Sequence, residues 1–220
     1  MISAIVFDFD GVLADSEVLH LRAYQEVLAP RGLQISREDY FARYLGFDDN
    51  GVFRTVAADR GLDLDDAGVE ELIARKSKVF ARLEANAEML FPGAVACVRR
   101  LEAEFPLGIA SGALRHEIES VLDRSGLRLC FRFIVSSGDT AASKPAPDPY
   151  LRAAVLHGRP ASDCAAIEDS RWGIASAKAA GMACIGITQT YPRDTLTTAD
   201  AIVDSLDELT PGLIRSLGSR

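Results

Sequence analysis

The sequence lacks three features that identify common classes of protein: closely spaced cysteines, a block of basic residues, and a long apolar run. Its four cysteines form no Cys-x-x-Cys pair, which argues against zinc-binding and thioredoxin-like sites. The formal net charge of -8, without a cluster of lysine and arginine, argues against a nucleic-acid surface. No apolar stretch approaches the roughly 20 residues that cross a bilayer. We therefore expect a protein that binds neither nucleic acid nor a membrane.

The remaining composition is typical of a globular protein. The 220 residues are 48% hydrophobic and 25% charged, which is enough for one domain, or one domain with an insertion, to bury a core. The amino terminus has no basic region before its short apolar stretch and does not resemble a signal peptide. Cysteines in apolar surroundings are expected to be buried free thiols, which fits a reducing compartment. We expect a cytoplasmic monomer or small homo-oligomer.

Short apolar runs alternate with helical segments along most of the chain. The runs are continuously apolar, as expected for parallel strands that are covered by helices on both faces. The predicted strands are residues 3–7, 107–110, 133–136, 164–167, 183–187 and 201–203, and the predicted helices between them are residues 92–104, 115–125, 149–157 and 170–180. This alternation predicts an α/β fold with a doubly wound parallel sheet.

One long segment interrupts the alternation. Residues 15–87 contain no strand-like run, and they predict helices at residues 17–28, 37–44, 50–60 and 66–84. An insertion directly after the first strand would lie at the carboxyl end of the sheet, where open α/β sheets bind ligands. We predict an α/β core of residues 1–14 and 88–220, with residues 15–87 inserted as a helical cap.

The first predicted strand ends in two carboxylates. Asp8 and Asp10 follow its apolar residues, and Gly11 comes next. Residues two apart in a strand point the same way at about 7 Å, so the two acids repel each other unless a cation lies nearby. A metal ion or a transferring group would meet this need. The alternative is an ordinary polar turn at the end of a strand.

Polar residues also follow three later strands. These sites are Ser111-Gly112, Ser143-Lys144-Pro145 and Glu168-Asp169-Ser170. Because the carboxyl ends of parallel strands meet at one edge of a sheet, we expect these side chains to lie close to Asp8 and Asp10. Turn chemistry alone does not explain four polar sites at one edge.

Four short motifs occur in order: residues 8–13 (DFDGVL), 110–112 (ASG), 143–145 (SKP) and 168–170 (EDS). Together they resemble the motifs of the haloacid dehalogenase-like hydrolase superfamily, and the resemblance spans the whole chain. Residues 10–17 (DGVLADSE) and 144–150 (KPAPDPY) resemble the branch that contains phosphoglycolate phosphatases and β-phosphoglucomutases. The resemblance implies a Rossmann-like core with an inserted helical cap, and phosphoryl-transfer chemistry.

The resemblance implies different roles for the two aspartates. Asp8 would be the nucleophile, because an aspartyl-phosphate intermediate divides one difficult displacement into two easier ones. Asp10 would give a proton to the leaving oxygen and later take one from the attacking water. The neighbouring carboxylate favours the protonated form of Asp10, which suits an acid.

The resemblance also implies a magnesium site. Asp8, the backbone carbonyl of Asp10, and Asp169 would hold Mg²⁺, which prefers oxygen ligands. Glu168 would be either a direct ligand or a partner of metal-bound water.

Three further residues would bind the phosphoryl oxygens. They are the Ser111 hydroxyl, the Gly112 backbone N–H ahead of a helix, and the Lys144 ammonium. Lys144 would supply positive charge where negative charge accumulates during transfer.

The cap would select the substrate by covering the site. Its candidate substrate contacts are Glu17, His20, Phe47 and Lys76. Related β-phosphoglucomutases carry an arginine in the loop that residues 45–51 resemble, where it holds a second phosphate. Here the loop carries Asp48 and Asp49, and the nearest arginine, Arg54, lies in the next helix. Acidic residues would repel a second phosphate.

We therefore predict an Mg²⁺-dependent phosphatase that acts on a small phosphorylated metabolite, either a sugar phosphate or a phosphoglycolate-like compound. A phosphomutase of the β-phosphoglucomutase type is the alternative. A non-catalytic protein that binds phosphorylated metabolites is less favoured, because the nucleophile, the lysine and the metal-binding acids are all present.

Overall fold

The computed structural model describes residues 1–45, 47–62, 64–84 and 89–219. They belong to two compact units, one made of Met1–Asp15 and Leu90–Arg220 and the other of Ser16–Met89. The predicted boundary between residues 87 and 88 lies outside the described residues, so the predicted domain limits stay a prediction.

The first unit is built on a parallel sheet of six strands. These are β1 Ala4–Phe7, β2 Leu107–Ala110, β3 Phe131–Val135, β4 Cys164–Glu168, β5 Ala183–Ile187 and β6 Ala201–Val203. Their order across the sheet is β3-β2-β1-β4-β5-β6, and every neighbouring pair is parallel. Every residue of β1, β2 and β4 is buried, which explains their continuously apolar character.

Helices connect the strands and form the second unit. The helices are α1 Glu17–Leu28, α2 Arg37–Asp39, α3 Asp49–Asp59, α4 Asp66–Glu84, α5 Ala94–Glu102, α6 Arg115–Arg124, α7 Asp148–His157, α8 Arg171–Ala179 and α9 Pro211–Ser216. The first four lie in Ser16–Met89, which we call the inserted helical unit. The predicted doubly wound sheet with an inserted helical domain is therefore confirmed.

One predicted helix of the inserted helical unit is interrupted. The prediction of a single helix over residues 37–44 is wrong, because α2 ends at Asp39 and continues as the π-helical turn Tyr40–Tyr44. In this wider turn the rings of Tyr40 and Tyr44 are buried. Their hydroxyls donate hydrogen bonds to Glu17 at 2.6 Å and to Asp59 at 2.8 Å.

The strand order reverses at β1. The chain adds β2 and β3 on one side of β1 and then crosses over to place β4 on its other side. In doubly wound sheets such a reversal separates the loops above the carboxyl ends of two strands and makes room for a ligand. Phe7 lies opposite Ile167, so Asp8 and Glu168 follow at the same edge.

The burial of His157 should make the stability of the first unit depend on pH. Its Nε2 lies 3.3 Å from the Ile5 carbonyl oxygen of β1. Burial lowers the pKa of the imidazole, and the hydrogen bond to Ile5 only partly opposes this effect. The unfolded chain therefore takes up a proton more readily than the folded protein. The free energy of unfolding should fall as the pH drops below about 6.5.

The variant His157→Gln tests this expectation, since an amide also donates to a carbonyl but does not titrate. The imidazole should contribute at most about 1.4 kcal/mol of lost stability per pH unit. Urea unfolding of the full chain from about pH 8 to pH 5 should show a shallower decline in the variant. His116→Gln on the exposed face of α6 is the control. Equal slopes in wild type and His157→Gln would contradict the expectation.

No helix among the described residues is both long and apolar enough to cross a membrane.

Candidate active site

Two acidic side chains and one lysine meet at the carboxyl ends of β1 and β4. The Lys144 Nζ atom lies 3.0 Å from Asp8 Oδ1 and 2.6 Å from Glu168 Oε1. Glu168 is fully buried, and the side chains of Asp8 and Lys144 are 13% and 11% exposed. Such a buried group of charges is stable only if the charges are paired, so its position is specified by the fold.

The Glu168 carboxylate is held by several donors. The Tyr150 hydroxyl of α7 donates to Glu168 Oε1 at 2.7 Å. The Ser170 hydroxyl and backbone N–H donate to Glu168 Oε2 at 3.2 and 3.4 Å. Burial raises the pKa of Tyr150 well above its ordinary value, and Glu168 raises it further. Tyr150 therefore remains a protonated donor at neutral pH.

Two glycines leave room for the acidic side chains. A Cβ atom on Gly173 in α8 would lie 1.8 Å from Glu168 Oε1. A Cβ atom on Gly11 would lie 1.9 Å from Asp169 Oδ2, and the φ of Gly11 is +73°. Any larger residue at either position would push a carboxylate away, so both glycines are needed for this arrangement.

Gly173→Ala should therefore disturb Glu168 directly. We expect the free energy of unfolding to fall by about 1–3 kcal/mol, as in overpacked cores. Gly212→Ala in α9 is a matched control, because its Cβ atom would meet only Thr210 Oγ1 at 3.8 Å. Alanine there should be neutral or stabilise the helix by up to about 1 kcal/mol. Urea unfolding measures the stability of both variants. If Gly173→Ala were as stable as Gly212→Ala, the steric argument would be wrong.

Asp8, Glu168 and Asp169 form a group that fits a metal ion. One carboxylate oxygen from each lies within 4.8 Å of the other two. All three donors are hard anionic oxygens, the type that Mg²⁺, Ca²⁺ and Mn²⁺ prefer. Among the described residues, no other three His, Cys, Asp or Glu side chains bring their donor atoms this close together. It includes three of the four predicted metal-binding residues. The fourth, Asp10, was predicted to bind through its backbone carbonyl.

The electrostatics of this group favour an additional cation. The pKa of Asp8 is raised to about 7, chiefly by burial and also by the neighbouring Glu168 and Asp10, although Lys144 opposes this shift. Burial also lowers the pKa of Lys144, but the adjacent Asp8 and Glu168 outweigh it and raise the pKa overall. Lys144 is thus a fixed positive charge among an excess of carboxylates, which a second cation would neutralise.

Asp10 lies in a tightly hydrogen-bonded turn after β1. The backbone N–H groups of Leu13 and Ala14 donate to the Phe9 carbonyl at 2.9 and 3.0 Å, and that of Gly11 donates to the Ala14 carbonyl at 2.8 Å. The Phe9 N–H donates to Asp8 Oδ1 at 2.7 Å. The two aspartates therefore follow one strand but lie in different local backbone environments.

Ser111 and Gly112 follow β2 at the same edge. The Ser111 N–H donates to the Val135 carbonyl of β3 at 2.9 Å. The Ser111 hydroxyl accepts a hydrogen bond from the Ala113 N–H at 3.1 Å. Gly112 does not directly precede a helix, since α6 begins at Arg115. Both residues therefore lie in a loop that links β2 to α6.

Three of the predicted substrate contacts, Glu17, His20 and Lys76, have partners within the inserted helical unit. Glu17 accepts a hydrogen bond from Tyr40 at 2.6 Å. His20 is buried and stacks on Phe80 with ring centroids 4.2 Å apart. Phe47 is 48% exposed.

Lys76 is the most unusual of these residues. It is only 1% exposed, and its Nζ atom lies 3.1 Å from Asp49 Oδ1. The same Asp49 oxygen accepts a hydrogen bond from the Tyr24 hydroxyl at 2.5 Å. Asp48 in the same loop caps α3 by accepting a hydrogen bond from the Gly51 N–H at 2.8 Å. Gly46, in the same loop of residues 45–51, lies outside the described residues.

The chain is similar to several known proteins. The model for haloacid dehalogenase-like hydrolase matches residues 2–181. Hexitol phosphatase B from Escherichia coli is 34% identical over 223 residues, which cover 95% of this chain and 95% of that protein. Beta-phosphoglucomutase from Bacillus subtilis is 30% identical over 216 residues, which cover 96% of this chain and 93% of that protein.

A solved structure with a similar fold and a much longer relative also match the chain. The crystal structure of CbbY from Rhodobacter sphaeroides in complex with phosphate has a TM-score of 0.85 and 29% identity, covering 95% of this chain and 96% of that chain. SUPPRESSOR OF QUENCHING 1 from Arabidopsis thaliana is 34% identical over 194 residues, 86% of this chain but 18% of that protein. The chain thus spans about a fifth of that relative's length.

Proposed function

The chain belongs to the haloacid dehalogenase-like hydrolase family, and we propose that it is an Mg²⁺-dependent phosphatase acting on a small phosphorylated metabolite. The observation that carries this proposal is the buried group of Asp8, Glu168 and Asp169 with Lys144 at 3.0 Å from Asp8. This arrangement offers a nucleophile in Asp8 and a fixed cation in Lys144 beside donors for a hard metal ion.

In the first step we propose that an Asp8 carboxylate oxygen attacks the phosphorus atom. The bond between phosphorus and the ester oxygen breaks, and its electron pair leaves with that oxygen. The Asp10 carboxyl group gives its proton to the leaving oxygen, so that an alcohol departs and an aspartyl-phosphate remains.

In the second step a water molecule attacks the phosphorus atom of the aspartyl-phosphate. The Asp10 carboxylate takes a proton from this water, and the bond from phosphorus to the Asp8 oxygen breaks. Inorganic phosphate leaves, and both aspartates return to their starting protonation states. The sum is hydrolysis of one ester by one water.

Asp8, Glu168 and Asp169 would hold the metal ion together with the Asp10 carbonyl, and Glu168 would act directly or through water. When bound, Mg²⁺ supplies positive charge that reduces repulsion between the carboxylates and the phosphoryl oxygens. Lys144 supplies a second positive charge, which Glu168 and Tyr150 keep in position. Ser111 and the Gly112 N–H would donate to the remaining phosphoryl oxygens.

We propose a sugar phosphate or a related small phosphate ester as the substrate. The similarity to a hexitol phosphatase supports this class. The inserted helical unit would serve as the cap, and Glu17, His20, Phe47 and Lys76 would contact the substrate. A cytoplasmic location is supported by the four cysteines, all of which are free and buried.

A phosphomutase is the second candidate, and the similarity to a β-phosphoglucomutase favours it. Its reaction needs positive charge for a second phosphate. In the inserted helical unit, however, Lys76 is paired with Asp49, and Asp48 adds another carboxylate to the same loop. This pairing supports hydrolysis over transfer to a second phosphorylated sugar.

Two assays test the proposed function. Phosphate release from p-nitrophenyl phosphate and from a panel of sugar and hexitol phosphates should require Mg²⁺ and stop when a chelator is added. A second assay supplies β-glucose 1-phosphate with a bisphosphate primer. Isomerisation faster than phosphate release would favour the mutase, whereas the absence of both activities would contradict phosphoryl transfer altogether.

A further inference from the structure

The loop that follows β5 approaches the turn that carries Asp10. Thr190 Oγ1 would lie 2.5 Å from a Cβ atom on Gly11, so the loop packs directly against that glycine. No motif of the sequence indicates this loop as part of the site. It comes close because the sheet order places β5 beside β4, one strand away from β1.

Gln189 makes the polar contact between the loop and the turn. With its amide nitrogen turned toward the turn, it donates to the Gly11 carbonyl at 3.2 Å and to the Val12 carbonyl at 3.0 Å. In this orientation both the nitrogen and the oxygen of the Gln189 amide face suitable partners, which is the criterion for assigning the orientation of an amide side chain. Both amide hydrogens thus go to the two residues that directly follow Asp10.

The loop itself is fixed at both ends by one aspartate. Asp204, directly after β6, accepts a hydrogen bond from the Thr188 hydroxyl at 2.8 Å and pairs with Arg193 at 2.9 Å. Arg193 also donates to the Ile202 carbonyl at 3.2 Å. The segment that presents Gln189 is therefore anchored to the last strand of the sheet.

We propose that Gln189 is a positioning residue that fixes the orientation of Asp10 by binding the carbonyls of Gly11 and Val12. Asp10 lies in a short turn, so rotation of the peptide groups that carry the Gly11 and Val12 carbonyls would move its carboxyl group. Displacements of about 1 Å can lower a reaction rate by about 10²-fold. The inference rests on the proposed function, in which Asp10 gives a proton to the leaving oxygen.

The role predicts a dependence on the leaving group. An alkyl ester leaves as a strongly basic alkoxide and needs the Asp10 proton, whereas p-nitrophenolate is weakly basic and leaves without it. A residue that orients Asp10 should therefore matter for alkyl esters and little for aryl esters. A residue that only supports the fold would affect both classes equally.

The test compares kcat/KM for sorbitol 6-phosphate and p-nitrophenyl phosphate, since kcat/KM reports the first phosphoryl transfer. Gln189→Met keeps the length of the side chain and removes its donors. We expect it to lower kcat/KM by about 10- to 100-fold for the alkyl ester. For the aryl ester we expect less than about 3-fold. The melting temperature confirms that the variant is folded. If Gln189→Met does not fold, Gln189→Glu takes its place in the test.

Two reference variants separate this inference from the proposed function. Asp10→Asn should also lower kcat/KM more for the alkyl ester than for the aryl ester, and by a larger factor than Gln189→Met. An equal loss of kcat/KM for both esters would contradict the role of Asp10 as the acid. Gln25→Leu is the matched control, because Gln25 also donates to a backbone carbonyl, that of Ile35 at 2.8 Å, within the inserted helical unit. Gln25→Leu should keep the wild-type ratio of kcat/KM for the alkyl ester to kcat/KM for the aryl ester. If Asp10→Asn behaves as expected while Gln189→Met keeps the wild-type ratio or lowers both esters equally, the inference is wrong.

Discussion

Asp8→Asn should lower phosphate release by about 10⁴-fold or more, because the neutral amide cannot attack phosphorus and no other group replaces a nucleophile. The loss should be the same for alkyl and aryl esters, since both pass through the same covalent intermediate. The fold should survive, because an asparagine oxygen can still accept the hydrogen bond from the Phe9 N–H. Steady-state kinetics with Mg²⁺, together with the melting temperature, measure both expectations.

A contaminating phosphatase is the main source of false residual activity in this experiment. Asp123→Asn provides the control, because Asp123 is an exposed aspartate on α6 and the substitution makes the same chemical change. It should retain full activity after the same purification. If the two variants hydrolysed the substrate equally well, Asp8 would not be the nucleophile.

Lys144→Met should have the second largest effect, on both stability and activity. It leaves Asp8 and the fully buried Glu168 without their cation. Breaking a buried ion pair from one side typically costs about 3–5 kcal/mol. Loss of charge stabilisation at the phosphoryl group should lower kcat by about 10²- to 10³-fold. Added Mg²⁺ should restore part of the stability, because it binds only the folded state and neutralises the same carboxylates.

Urea unfolding with and without Mg²⁺ tests this expectation, and Lys178→Met is the matched control. Lys178 pairs with Asp200 at 2.6 Å but is 41% exposed. Such a surface pair is worth only about 0–1 kcal/mol. If Lys144→Met were no less stable than Lys178→Met, the charge balance inferred for the site would be wrong.

Strand positions could be predicted because buried parallel strands are continuously apolar. The bounds of β2, β5 and β6 match the predicted ones. Strand β3 begins at Phe131, two residues before its prediction, because exposed Arg132 interrupts the apolar run while Phe131 pairs with Leu107. Helix α9 was missed, although Thr210 and Pro211 form a typical start signal in which the Thr210 hydroxyl caps the helix.

The acids of the site could be predicted because strand ends share one edge, but the contacts between them could not. Tyr150 lies in α7, and only the packing of that helix against the sheet brings its hydroxyl to Glu168. The space at Gly173 exists only relative to the Glu168 side chain. Gln189 reaches the Asp10 turn through the order of the strands, which local sequence does not specify.

The central position of β1 has a consequence for how the protein folds. Ser3, just before β1, bonds to Asp163 across 160 residues of sequence, and Ile5 pairs with Leu107 on the opposite side. The two neighbouring strands, β2 and β4, emerge from the ribosome long after β1, so β1 remains unpaired until they are synthesised. Such distant pairing is slow and exposes apolar surface to aggregation. In pulse-labelling hydrogen exchange, we expect the amides of β1 to become protected later than those of α1, whose hydrogen bonds are local.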